Sequence, residues 1–101
     1  MKVIKMLSEM IEDKIECSED YIMKAMEYRD DYPEMSKVLY NISVGEVSDI
    51  SSLHDCVAKI IEAYRKENGE PPAPMMAVYD YLHRKHIDNL AKVKAMQAMY
   101  K

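Results

Sequence analysis

The chain contains no Phe and no Trp, and only two Gly, two Cys and four Pro among its 101 residues. So little Gly argues against a hairpin-rich β fold, whose tight turns need it. Cys17 and Cys56 are too few for a disulfide framework and lack a Cys-x-x-Cys spacing, so a reducing, cytoplasmic setting is expected. No apolar run nears the roughly 20 residues needed to cross a bilayer, and no membrane association is expected. Residues 1–10 alternate charge with apolar groups, unlike a signal peptide. P-loop, dinucleotide-binding glycine and Ser-His-Asp patterns are all missing.

What the chain does have is ten Met, eight Tyr and 32% charged residues. Abundant Met, Lys, Glu and Ala favours helix, and the length suits one domain, residues 1–101. The net charge of −4 is unevenly spread. Residues 1–34 hold 5 basic and 10 acidic groups, residues 35–70 hold 4 and 6, and residues 71–101 hold 5 and 2. The basic end is too sparse, and the whole too acidic, for a nucleic-acid footprint. An acidic first segment and a basic last one can attract each other across a bundle or between subunits.

Apolar periodicity predicts an all-α chain of three long antiparallel helices, at about 2–31, 33–68 and 75–101. The first stripe runs Ile4, Leu7, Ile11, Ile15, Ser18, Ile22, Ala25 and Arg29. Asp30-Asp31-Tyr32-Pro33 ends it, because the residue before Pro disfavours the helical conformation. The second stripe is read as Met35, Val38/Leu39 and Ile42, then Leu53, Val57, Ile60/Ile61 and Tyr64. Asn68-Gly69 is its stop, and Pro71-Pro72-Ala73-Pro74 forms a stiff connector into the third helix. The third stripe is Val78/Tyr79, Leu82, His86, Leu90, Val93, Met96/Gln97 and Tyr100.

The middle of the second helix, residues 41–52, is rich in poor helix formers and contains Gly45. Ser52 with Asp55 could cap a fresh helix there. The apolar phase nevertheless continues through 42, 46, 49, 53 and 57, which favours one continuous helix. That phase places Glu46 and Asp49 on the inward stripe. Two carboxylates one turn apart on a buried face are costly unless paired with a base or bound to a metal. The alternatives are a frayed segment that lets both reach water, a Lys or Arg from a neighbouring helix, or a metal site.

A helix-1 Glu, an aromatic shortly after it, a Pro-marked turn and a Glu-x-x-His motif mid-helix 2 make up the pattern of ferritin-like and rubrerythrin-like di-iron proteins. The chain resembles that superfamily over about residues 8–68, through Glu16, Tyr21, Pro33 and Glu46-Val-Ser-Asp49. It is most similar to the small helical hairpins of encapsulated ferritins, which build their site by association. The resemblance implies a ferritin-like bundle completed by oligomerisation, with iron or manganese held by Glu16, Glu46, Asp49, Asp80 and His83. Asp80-Tyr-Leu-His83 reads as a variant of the motif on the third helix. Asp49 stands where the family has its His ligand, which marks the site as degenerate.

His83 and His86 lie one turn apart and could chelate Zn or Ni with Asp80, or pack as satisfied core imidazoles. Met and Tyr spread over the third helix suit a subunit interface, so a homodimer or larger homo-oligomer is expected. The functional expectation is a structural or protein-interaction module without an intact catalytic site and without a bound cofactor. Two alternatives stand beside it: a di-metal protein, and a small adaptor that docks a protein partner through helix 3.

Overall fold

The computed structural model describes residues 2–100. Three helices, α1 (Lys2–Glu27), α2 (Pro33–Asn68) and α3 (Ala73–Tyr100), alternate in direction along a rod of 56 × 19 × 18 Å. A 36-residue helix rises about 54 Å at 1.5 Å per residue, so α2 sets the length of the whole molecule. No helix among the described residues is long and apolar enough to cross a membrane.

α1 stops at Glu27, four residues before the predicted end. Residues 28–31 form a turn in which the Tyr32 amide donates to the Tyr28 carbonyl at 2.9 Å. Consecutive Asp30 and Asp31 are poor helix formers, and Pro33 suits the first position of α2, where its missing N–H costs nothing. α3 begins at Ala73, two residues earlier than predicted, because the Pro72 carbonyl accepts from the amides of Met75 and Met76. The predicted last residue, Lys101, lies outside the described residues.

α2 runs without a break through Gly45. The Ser52 hydroxyl bonds back to the Ser48 carbonyl at 3.4 Å within the helix instead of capping a new one. A Cβ on Gly45 would meet nothing within 4 Å. Gly69 differs: at φ 78° and ψ −164° it occupies a region nearly closed to other residues, and its amide caps the helix at the Arg65 carbonyl. The two glycines should therefore respond oppositely to alanine. Gly45→Ala is expected to stabilise the fold by about 0.5–1 kcal/mol and Gly69→Ala to destabilise it by about 1–3 kcal/mol, as read from urea midpoints.

The core follows the predicted stripes of α1 and α3. Leu7, Ile11, Ile15, Ser18, Ile22 and Ala25 are buried on α1, and His86, Leu90, Val93 and Gln97 on α3. α2 is the correction. Its buried positions are Ser36, Ser43, Ile50, Val57 and Ile61, whereas Met35, Val38 and Ile42 are exposed. The first half of the helix is turned roughly a quarter revolution from the predicted stripe, which followed the larger apolar residues.

The buried serines are satisfied by α1. Ser36 Oγ donates to the Ala25 carbonyl, and Ser43 Oγ donates to the Ser18 carbonyl at 2.7 Å. Small side chains at these crossings let α1 and α2 pack closely, and this is the most extensive helix pair. α2 and α3 touch least, and longer side chains bridge the wider seam. Gln97 Nε2 reaches Ser43 Oγ at 2.9 Å, the hydroxyls of Tyr100 and Ser36 lie 2.9 Å apart, and the Tyr40 and Tyr100 rings stack at 4.5 Å. Polar layers thus alternate with layers of Ile, Val and Leu, a pattern that sets the vertical register of one helix on another.

Candidate functional site

Two groups of polar side chains lie inside or beside the bundle. The first contains the carboxylates singled out in the sequence. Lys14 of α1 places its ammonium 3.0 Å from Glu46 Oε2 and 3.1 Å from Asp49 Oδ2. Glu46 first, and Asp49 second, hold the Lys14 ammonium above its ordinary pKa. Glu46, half-buried between α1 and α2, is thus met by a base from the neighbouring helix, whereas Asp49, expected on the inward stripe, is turned to solvent because it lies to the side of the buried edge of α2.

The other residues implied by the resemblance lie elsewhere. Glu16 is exposed on α1. Asp80 is exposed on the outer side of α3, in a shallow depression with Tyr81 and Arg84. His83 is half-buried on the α2–α3 seam, its ring 5.8 Å from that of Tyr79. The five side chains do not share one centre. Among the described residues no group of three or more His, Cys, Asp or Glu side chains is placed to hold a metal ion. As arranged, these donors do not fit a di-iron or di-manganese centre, and no chemistry is routed through one.

The second group was only half visible in the sequence. His54 of α2 meets both histidines of α3, with ring centroids 5.3 Å from His83 and 5.9 Å from His86. These are all three histidines of the chain. The signal for His54 lay in the heptad spacing Tyr40, Val47, His54, Ile61, which follows the buried edge of α2. His86 is only 2% exposed, and the Nε2 atoms of His54 and His86 are buried without a hydrogen-bond partner. The expected satisfied core histidine is therefore corrected to an unsatisfied one.

Burial lowers the pKa of His54, with His83 and His86 adding repulsion and Asp55 opposing. Burial also lowers that of His86, helped by His83 and Lys85 and opposed by Glu12. Glu12 takes the Lys85 ammonium at 2.9 Å, which ties α1 to α3 beside the seam and raises the Lys85 pKa. Cys17 and Cys56 are both free and exposed. Among the described residues, the hydrogen-bonded serine hydroxyls engage carbonyls, Gln97 and Tyr100, and none engages an imidazole.

Comparison of the chain with family models, with curated proteins and with solved structures finds no match.

Proposed function

We propose that this chain is a helical structural or interaction module, ferritin-like in layout, that works by associating with a second copy of itself. The observation that carries this reading is a set of open apolar side chains on α3, Val78, Tyr81 and Met99, none of them covered by α1 or α2. Tyr81 is 64% and Met99 66% exposed, too open for filler in a monomer core.

Charge supports a second copy as the occupant. α1 exposes an acidic ridge of Glu9, Asp13, Glu16 and Asp20, and α3 exposes Arg84 and Lys92. The ridge of one copy complements the outer face of α3 on the other. The layout also suits the resemblance. Ser18 faces Ser43 and Ala25 faces Ser36, so Glu16 and Glu46 stand at nearly the same height on a long antiparallel hairpin.

Light scattering and sedimentation test the proposal. The wild-type chain is expected to dimerise, more weakly at high salt. A Tyr81→Asp/Met99→Asp chain is expected to be monomeric with the same helical circular dichroism. A wild-type monomer at every concentration would overturn it, as would a double variant that associates as well as the parent.

A further inference from the structure

At one end of the rod, where α1 begins, α2 ends and α3 begins, lies a cavity of about 330 Å³ open on one side. Its walls are almost wholly apolar: Ile4, Ile61, Pro71, Met76, Val78 and Leu82. Three polar-tipped side chains break that lining, Lys5 and Ser8 of α1 and Tyr79 of α3. Ser8 is only 6% exposed and lines the cavity. Its hydroxyl bonds to no group among the described residues, although every other buried serine of the bundle is satisfied. Lys5 stands one turn before it at the rim, exposed and without an ion-pair partner among the described residues. The spacing i, i+3 puts the ammonium and the hydroxyl side by side on one face of the helix.

We infer that this cavity binds a medium-chain monocarboxylate, with its hydrocarbon chain among the Met, Leu and Ile side chains and its carboxylate on Lys5 and Ser8. One carboxylate carries one negative charge and two acceptor oxygens, which matches one ammonium and one hydroxyl donor. The Ser8 hydroxyl has no partner among the described residues, so it is free to donate to a ligand oxygen. The volume holds about eleven non-hydrogen groups at roughly 30 Å³ each, the share of one water in the liquid. Met76 has an unbranched thioether that can reshape the wall around a flexible chain.

Titration with decanoate, followed by the methionine-methyl resonances of the full chain, tests the inference. Decanoate should bind saturably at one site, moving the Met76 methyl and leaving those of Met23 and Met99 in place. Lys5→Gln should weaken decanoate by about fivefold or more, the scale of one charge-assisted contact, and leave the binding of 1-decanol unchanged. Lys5 is exposed, so that variant leaves the fold intact. Ser8→Ala should weaken decanoate in the same direction. Failure to saturate, shifts spread over all methionines, or equal binding by wild type and Lys5→Gln would each overturn the assignment. Decanol bound as tightly as decanoate would overturn the carboxylate part of it. A wild-type dimer in which the second copy shields the Met76 methyl from decanoate would overturn it in favour of a protein occupant.

Discussion

Ser43→Leu is expected to lower the stability of this protein by about 2–6 kcal/mol, although it makes an amphipathic helix more apolar. The added side chain has no room where α1 and α2 cross closely, and overpacking of this kind costs about 1–3 kcal/mol. It also strands polar groups. Ser43 Oγ donates to the Ser18 carbonyl and accepts from Gln97 Nε2, and Gln97 is itself buried. Leaving buried groups unpaired adds about 1–3 kcal/mol. For a chain of this size the melting temperature should fall by about 10 °C or more. Val38→Ser is the companion measurement. Val38 is 57% exposed, so that loss of an apolar group should change stability by only about 0.5 kcal/mol. If Ser43→Leu proved neutral and Val38→Ser costly, α2 would be turned the other way, with the Met35–Val38–Ile42 stripe inward.

Acid is expected to destabilise the fold through the histidine seam. In the folded chain His54 and His86 sit below the ordinary value of 6.5. The unfolded chain therefore binds more protons at mildly acidic pH, and stability rises with pH there. The contribution of the neutral imidazoles is fully present above about pH 6.5 and is lost as pH falls through the folded values. The slope tends toward about 1.4 kcal/mol per pH unit for each extra proton held by the unfolded chain.

The charged and titratable groups facing the pair come from all three helices: Glu12 of α1, Asp55 of α2, and His83 and Lys85 of α3. Glu12 and Asp55 oppose the effect, yet burial outweighs both. Two imidazolium rings 5.9 Å apart would also repel across the seam where α2 and α3 hold each other least. Urea unfolding between about pH 7.5 and 5 gives the measurement. Midpoints should be level at the upper end and fall toward the lower, and His86→Met should flatten the profile. A wild-type profile with no slope, or the same slope in His86→Met, would show that the two rings do not control it.

Both predictions depend on features that the primary structure only partly revealed. α1 was legible because Ile11, Ile15 and Ile22 are large, apolar and regularly spaced, whereas the Val3, Met6 and Met10 row passes into Asp13 and Asp20 after three residues. α3 was legible from the run His86, Leu90, Val93, Gln97. The candidate carboxylates were legible as an anomaly, and a base on a neighbouring helix was one of three open answers. Lys14 could not be chosen in advance, because Lys2, Lys5 and Lys24 share its helix and only the register decides which reaches residue 46. The meeting of His54 with His83 and His86 was not legible, because it depends on the rotation and height of α2 against α3.

The sequence by itself determined the number of helices, the bounds of α2 and where the chain turns. Pro33, Asn68-Gly69 and the prolines at 71, 72 and 74 act on their own backbone, and local sterics need no partner. Only the tertiary structure decided the rotation of α2, the placing of Ser36 and Ser43 inside with Val38 outside, and the meeting of the three histidines. Periodicity shows that a helix has a repeating face. Which of two neighbouring faces is buried depends on the free energy of the contact. Here close approach to α1, with each serine hydrogen-bonded to a carbonyl, places the small polar side chains inside and the larger apolar ones outside.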